Sequence, residues 1–168
     1  KYSPPRSTTT RSPSSAATVP PRSGMVAPIT APTIAASVLS AQVMNLTNFS
    51  VISAHKQVVP ALTALLQTKE VNINGFLLPG HVSVIIGAGA YRGFVKNYPI
   101  PCVIAGFEPV DILTSIHMLV KQIETGKKDL ENAYPRAVTE EGNVKAQSLL
   151  GTVFQSGNAT WRGIGPIP

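Results

Sequence analysis

The stretch between residues 75 and 113 decides the fold, because it contains GFLLPGHVS at residues 75–83 and CVIAGFEPVD at residues 102–111. Each piece reads as a short apolar strand, followed by a glycine-containing loop and the start of a helix. In an open parallel sheet, the loops that follow neighbouring strands meet at the carboxyl edge, where ligands bind. The sequence therefore predicts a ligand site at that edge of the sheet.

The flanking sequence continues the same alternation of strands and helices. Residues 48–53 are predicted to form a further strand, because they alternate and then become apolar and β-branched. Helices are predicted from apolar periodicity at residues 31–45, 58–68, 82–86, 91–98, 109–124 and 143–154. The βαβαβ series predicts an α/β fold, in which an open parallel sheet with a Rossmann-like core is flanked by helices.

The longest predicted helix begins at Pro109 and is expected to end at Gly126. Beyond this helix the pattern is weaker: residues 132–138 are compatible with an edge strand, and residues 161–165 are predicted to be a loop. The large apolar residues of the helix recur at helical spacing and are predicted to face the core: Ile112, Ile116, Leu119, Val120 and Ile123.

The charge of the chain is unevenly distributed. The 168 residues have a formal net charge of +6, but residues 1–30 hold Lys1, Arg6, Arg11 and Arg22 and no acid, so only +2 belongs to the remainder. A nearly neutral domain has no basic footprint for nucleic acid. No apolar run approaches the roughly 20 residues that a membrane span requires. Neither nucleic acid nor a membrane is therefore expected as a partner.

Cysteine content and the N-terminal composition restrict the chain further. Cys102 is the only cysteine, so the chain cannot form an internal disulfide or build a zinc or iron-sulfur site from its own thiolates. This fits a reducing, cytoplasmic setting, and Cys102 is predicted to be buried in its strand. Residues 1–30 are rich in Pro, Ser and Thr and are predicted to be disordered, which leaves residues 31–168 as the α/β domain.

Three loops are predicted to converge at the carboxyl edge and to bring five polar side chains toward one crevice. His81 is favoured among them, because Gly80 lets the backbone approach a ligand and the adjacent helix start supplies free amides. Structural roles are the alternative for each: hydrogen bonding for the histidines and helix capping for the other three. The crevice candidates are His55, His81, Ser83, Glu108 and Asp111.

Two further features are open to a functional or a structural interpretation. Trp161 and Arg162 form a candidate partner-facing pair, since both residue types are enriched at interface hot spots, although a stacked structural pair explains them equally well. GAGA at residues 87–90 resembles a phosphate-binding loop only weakly, because it follows a helix rather than a strand.

Several separated motifs occur in an order that is similar to one known family. These motifs are SAHK at residues 53–56, GFLLPGHVS at 75–83, GFEPVDIL at 106–113, EGN at 141–143 and WRG at 161–163. Together they resemble the HypD family of nickel-iron hydrogenase maturation proteins, over about residues 31–168. The resemblance implies a cytoplasmic scaffold rather than an enzyme.

Such a scaffold holds an iron centre while its cyanide and carbon monoxide ligands are installed. The partners that the resemblance implies are a HypC-like small maturation protein, a HypE-like cyanide donor and the hydrogenase large subunit. The full-length family also carries an iron-sulfur cluster. The family's N-terminal cysteine motif and C-terminal cysteines have no counterpart here, and VAPIT at residues 26–30 replaces the family's GFETT. We therefore expect a central fragment that binds no metal or cluster alone.

A stand-alone α/β enzyme is the alternative interpretation of the same residues. In that case His81 and Glu108 would act as acid and base on a small anionic substrate.

Overall fold

The computed structural model describes residues 30–68 and 72–167. The disorder predicted for residues 1–30 therefore concerns residues that, except for residue 30, lie outside the described part of the chain. The helices of the described part are α1 (Thr30–Val43), α2 (Val58–Gln67), α3 (Gly80–Ile86), α4 (Gly89–Asn97), α5 (Pro109–Thr125) and α6 (Val144–Val153). The strands of the described part are β1 (Phe76–Pro79), β2 (Cys102–Ala105), β3 (Leu130–Asn132), β4 (Ala159–Trp161) and β5 (Gly165–Ile167).

The first three strands form a parallel sheet in the order β1-β2-β3. Phe76 pairs with Cys102, and Cys102 pairs in turn with Leu130, so β2 lies in the centre. Helices α3 and α4 connect β1 to β2, and α5 connects β2 to β3. The predicted α/β fold with an open parallel sheet flanked by helices is confirmed.

All six predicted helices are present to within two residues at either end. Their ends follow the sequence signals: Pro109 occupies the first turn of α5, and Gly126 ends that helix with a positive φ of 69°. Asn143 caps α6, because its side-chain oxygen accepts a hydrogen bond from the Ala146 N–H at 3.0 Å. Within the described residues, no helix is both long and apolar enough to cross a membrane.

The strand predicted at residues 48–53 is wrong. This segment pairs with no strand in the described part of the chain, and Ile52 is 97% exposed. The third strand of the sheet is β3, which follows α5 rather than preceding α2. A β-branched composition supplies only a propensity, and a strand forms where the backbone finds a ladder partner and a surface to pack on.

Of two predictions near the C-terminal end, the edge strand at residues 132–138 is wrong, and the loop at residues 161–165 is right for the turn at residues 162–164 but not for its two ends. Strand β3 ends at Asn132, and residues 133–138 form a turn instead of an edge strand, since Asn132 accepts from the Tyr134 N–H and donates to the Val138 carbonyl. The loop predicted at residues 161–165 contains the ends of an antiparallel hairpin, in which Trp161 in β4 pairs with Gly165 in β5.

The main core lies on the side of the sheet that α2 and α4 cover. Cys102 is fully buried there, as predicted from its strand position. A second, smaller cluster joins α1 and α6 to the end of α3 through Ala31, Ala35, Ile85, Ala146 and Leu150. The main cluster contains Leu62, Leu78, Ala88, Tyr91, Phe94, Ile100, Cys102, Ile104 and Val138.

The face of α5 that packs against the sheet differs from the predicted one. The buried residues of this helix are Asp111, Ser115 and Gln122, whereas the predicted core residues other than Leu119 are exposed. Two of these polar residues have hydrogen-bond partners outside the helix: Asp111 binds Arg136, and the side-chain oxygen of Gln122 accepts from the Asp129 N–H, whereas its Nε2 has no partner among the described residues. Apolar periodicity identified the helix but not the side that faces this sheet.

Candidate functional site

Two glycines bring the strand ends together at the carboxyl edge of the sheet. An added Cβ at Gly80, where α3 begins, would lie 2.4 Å from the Ala105 carbonyl oxygen at the end of β2. An added Cβ at Gly106 would lie 2.1 Å from an Asp111 carboxylate oxygen. Such distances exclude any side chain, so only glycine allows β1, β2 and the first turn of α5 to approach this closely.

Arg136, which follows β3, joins the other polar groups of this edge. Its Nη1 and Nη2 donate to the two carboxylate oxygens of Asp111 at 2.6 Å each, and Nη2 also donates to Glu108 at 3.0 Å. The guanidinium lies over the Tyr134 ring, 4.5 Å from the centroid. Arg136 and Asp111 thus form a bidentate Arg–carboxylate pair, and the guanidinium also packs on an aromatic ring. We call Glu108, Asp111 and Arg136 the edge clamp.

The edge clamp combines one buried and one exposed carboxylate. The side chain of Asp111 is 8% exposed and that of Glu108 is 75% exposed. Hydrogen bonds from Arg136 hold the pKa of Asp111 below its ordinary value, and the same bonds raise the pKa of Arg136. Asp111 therefore stays ionised at neutral pH, while the Glu108 side chain is open to solvent.

His81 contacts Phe107, the residue that precedes Glu108 of the edge clamp. The two ring centroids are 4.7 Å apart at an interplanar angle of 46°. The Nδ1 atom is buried and has no hydrogen-bond partner among the described residues. Burial lowers the pKa of His81, so its imidazole is neutral at pH 7. Because Nδ1 is buried, only the other ring nitrogen, Nε2, can reach a ligand, and in the neutral ring it donates or accepts according to the tautomer.

Ser83 is placed below this surface. It is fully buried, its hydroxyl donates to the Pro79 carbonyl at 2.9 Å, and its Oγ lies 3.1 Å from the Tyr91 hydroxyl. Because α3 begins at Gly80, Ser83 is the fourth residue of the helix, and the predicted capping role is wrong. The structure gives this hydroxyl partners within the protein interior rather than a position in the crevice.

His55 contacts residues of the C-terminal part of the chain. Its Nδ1 lies 3.0 Å from the Ser53 hydroxyl, and its ring packs edge-on against Phe154 with centroids 5.3 Å apart. The next residue, Lys56, places its ammonium 4.7 Å from the centroid of the Trp161 ring. Of the predicted crevice residues, Glu108 and Asp111 share the Arg136 guanidinium, His81 contacts Phe107, which precedes Glu108, and His55 belongs to a different group of contacts.

The family to which the chain belongs is established by sequence comparison. A family model described as "Hydrogenase formation hypA family", with the name HypD, matches residues 24–168. The chain belongs to the HypD family.

Curated members of the HypD family align with most of this chain. "Hydrogenase maturation factor HypD" of Azotobacter vinelandii is 42% identical over 145 residues, which are 83% of this chain and 38% of the relative. The protein of the same name in Cupriavidus necator is 40% identical over 146 residues, covering 83% and 38% of the two chains. That of Escherichia coli is 39% identical over 139 residues, covering 82% and 37%. The chain thus spans less than two-fifths of the length of these relatives.

Arg136, Phe107 and Tyr134 were missed as site residues by sequence reasoning. The motif GFEPVD that suggested the HypD family contains Phe107, but an aromatic residue beside a glycine carries no specific signal. Arg136 is not among the predicted site residues, because the sequence of residues 132–138 is compatible with an edge strand. The available signal was the turn-forming sequence NAYP at residues 132–135, which places Arg136 in a loop that follows a parallel strand.

The glycines at residues 87–89 do not form an anion-binding loop in this HypD-family chain. The Ala88 N–H donates to the Thr139 carbonyl at 3.0 Å, and the Gly89 N–H donates to the Glu140 carbonyl at 2.9 Å. Gly87 and Gly142 approach so closely that a Cβ added at Gly142 would lie 2.4 Å from the Gly87 nitrogen. The backbone amides of residues 88 and 89 and the close approach of Gly87 to Gly142 of the EGN motif therefore join residues 87–89 to residues 139–142, which is a structural role.

An iron-sulfur cluster of the kind expected in full-length HypD proteins does not fit the residues of this chain. Cys102 is fully buried in β2, and burial raises the pKa of its thiol to about 12. Cluster ligation requires several accessible thiolates. In the described part of the chain, no group of three or more His, Cys, Asp or Glu side chains is arranged to hold a metal ion.

Proposed function

We propose that this chain takes part in hydrogenase maturation and contributes the carboxyl-edge site of a HypD-type scaffold. Its curated relatives are named as hydrogenase maturation factors, and the edge clamp and His81 lie within the residues that the family model matches. The substrate of this scaffold is an iron centre that receives cyanide and carbon monoxide ligands. The scaffold holds and positions this centre and does not itself catalyse turnover of a free substrate.

The observation that supports this proposal most strongly is the contact of His81 with Phe107, next to the fixed Asp111–Arg136 pair of the edge clamp. Cyanide bound to iron is a hydrogen-bond acceptor, and a neutral imidazole can donate one hydrogen bond to it without adding a positive charge. Arg136 is held in place by Asp111 and Glu108, so one guanidinium and two carboxylates are fixed in position beside the proposed site. His81 thus contacts the ligands of the iron, and the clamp fixes the edge around them.

The partners of the proposed scaffold are a HypC-like small maturation protein, a HypE-like cyanide donor and the hydrogenase large subunit, in the cytoplasm. Glu108 is the exposed member of the clamp and is available to a cationic group on such a partner. Arg162 is exposed in the turn between β4 and β5, next to the Trp161–Lys56 contact, and offers a second partner-facing position.

The alternative, an enzyme with His81 and Glu108 as acid and base, has less support from the geometry. The Glu108 carboxylate accepts a hydrogen bond from Arg136, and no hydrogen bond joins it to His81 among the described residues. An acid–base pair requires both groups within reach of one reacting atom. The Phe107 ring beside His81 also offers no polar group to complete such a site.

A chimaera tests the proposal in the context of a full-length protein. Residues 24–168 replace the corresponding segment of the Escherichia coli relative, in a strain that lacks its own HypD. We expect hydrogenase activity to return and the strain's HypC to copurify with the chimaera. The matched control is the same chimaera with the charge-reversing change Arg136→Glu, which should fold less stably and give little activity. A folded, HypC-binding chimaera without any hydrogenase activity would contradict the proposed role of this segment.

A further inference from the structure

Helix α5 carries an exposed apolar stripe next to its buried side. We call Ile112, Leu113, Ile116, Val120 and Ile123 the α5 stripe; their spacing places them along one side of the helix. All five are exposed, with fractional exposures between 39% and 68%. An adjoining side of the helix carries Asp111, Ser115 and Gln122, which are buried.

The α5 stripe is unusual for the surface of a folded domain. Single exposed apolar residues are common, but contiguous apolar patches mark interaction sites. The stripe continues at its N-terminal end into two more exposed apolar side chains, Val110 and Phe107. Phe107 is also the residue that contacts His81, so the stripe begins at the carboxyl edge.

We propose that the α5 stripe is the docking face for another part of the longer HypD-family polypeptide, which presents an apolar surface to it. The relatives are matched over only 37% to 38% of their length, so more than three-fifths of each lies outside the aligned region. That length is sufficient for at least one further domain. A tethered segment of the same polypeptide binds without the loss of translational freedom that a separate molecule incurs, so a narrow stripe is sufficient.

Two other occupants fit less well. A helix of this length extends for about 25 Å, and one face of it offers roughly 250 Å², whereas a stable dimer needs about 800 Å² from each partner. Residues 1–29 are dominated by Pro, Ser, Thr and basic side chains. They contain few large apolar residues that could cover the five side chains of the α5 stripe. The inference does not depend on the proposed role in hydrogenase maturation.

Thiol labelling tests this docking face directly. Ile116→Cys is introduced into the 168-residue chain and into the chimaera with the Escherichia coli relative, and the labelling rate at position 116 is read by mass spectrometry of its peptide. Val144→Cys is the matched control, because Val144 is 63% exposed at the start of α6. The native thiol of Cys102 is buried and should remain unlabelled in both proteins.

We expect labelling at position 116 to be about tenfold slower in the chimaera than in the isolated chain, with no change at position 144. Equal rates at position 116 in the two folded proteins would overturn the proposal. It would also be overturned if protection in the isolated chain increased with protein concentration, which indicates a second copy, or disappeared when residues 1–29 were deleted. Neither labelling rate depends on hydrogenase activity, so the result is independent of the proposed function.

Discussion

Arg136 and Asp111 are joined by two hydrogen bonds of 2.6 Å, although 25 residues separate them in the sequence. The pair connects the loop after β3 to the first turn of α5 and therefore fixes the two segments that form the carboxyl edge. Because Asp111 is nearly buried, its charge depends on Arg136 for compensation. The position of the edge clamp is thus coupled to the stability of the fold.

Replacing Arg136 should therefore destabilise the protein in a pH-dependent way. The pKa of Asp111 is lowered in the folded state, mainly by Arg136, so the pair stabilises the fold above the ordinary value of 3.8, and this stabilisation is lost as the pH falls through the lowered pKa. We expect Arg136→Ala to lower the melting temperature by several degrees at pH 7, with a difference from the wild type that shrinks below pH 3.8.

The control for this prediction is Arg92→Ala. Arg92 pairs with Glu140, and both side chains are largely exposed, at 62% and 45%. Exposed ion pairs contribute little to stability, so the melting temperature should change much less. A fall at pH 7 that is equal for the two variants, measured by circular dichroism, would show that the buried carboxylate of Asp111 does not depend on Arg136.

Gly80→Ala should destabilise the sheet edge, whereas Gly93→Ala should not. A Cβ at Gly80 would lie 2.4 Å from the Ala105 carbonyl oxygen, so the ends of β1 and β2 must move apart. We expect this movement to lower the free energy of unfolding by about 1–3 kcal/mol. Gly93 lies within α4 with no atom within 4 Å of an added Cβ, and alanine there should stabilise the helix by about 0.5–1 kcal/mol. Urea unfolding measures both changes, and a neutral Gly80→Ala would contradict the close approach of the strand ends.

Ser83 and Tyr91 form a buried hydroxyl pair whose two members should respond differently to removal. The Ser83 hydroxyl donates to the Pro79 carbonyl, so Tyr91 is the donor in their mutual bond. Ser83→Ala leaves the buried Tyr91 hydroxyl without its acceptor and should cost about 1–3 kcal/mol, whereas Tyr91→Phe should cost about 0.5–1.5 kcal/mol. A stable Ser83→Ala variant in urea unfolding would remove the structural role assigned to this hydroxyl.

Cys102 should be chemically silent in the folded protein. Burial raises the pKa of its thiol to about 12, so almost no thiolate exists at pH 8, and the side chain is closed to reagents. We expect no reaction with a disulfide reagent until the chain unfolds, with a labelling rate that follows unfolding as urea is added. Rapid reaction of the native protein at pH 8 would be inconsistent with a buried central strand.

Much of the fold could be predicted from local signals. Helix α5 shows both the reach and the limit of such signals: Pro109 and Gly126 give its ends, but the apolar stripe did not identify the face that packs on the sheet. Which face is buried depends on partners outside the helix, here Arg136 for Asp111 and Asp129 for Gln122. Apolar periodicity contains no information about them.

The candidate site could be predicted only in part, for a related reason. His81, Glu108 and Asp111 follow strands β1 and β2, so the rule for parallel sheets places them at one edge. Arg136 follows β3, a strand of three residues that is too short to give a clear pattern, and it was therefore missed. His55 was expected at the same edge because residues 48–53 were interpreted as a strand of the sheet.

The effect of His81→Ala on hydrogenase maturation tests the central claim most directly. The variant is made in the chimaera with the Escherichia coli relative and compared with Arg92→Ala, whose ion pair with Glu140 lies outside the edge clamp. For His81→Ala we expect a near-normal melting temperature, retained copurification with HypC and strongly reduced hydrogenase activity, because a ligand-facing imidazole adds little to folding. Arg92→Ala should retain activity. If His81→Ala matures hydrogenase normally while its melting temperature falls by several degrees, His81 is structural and the assignment of this edge as the functional site is wrong.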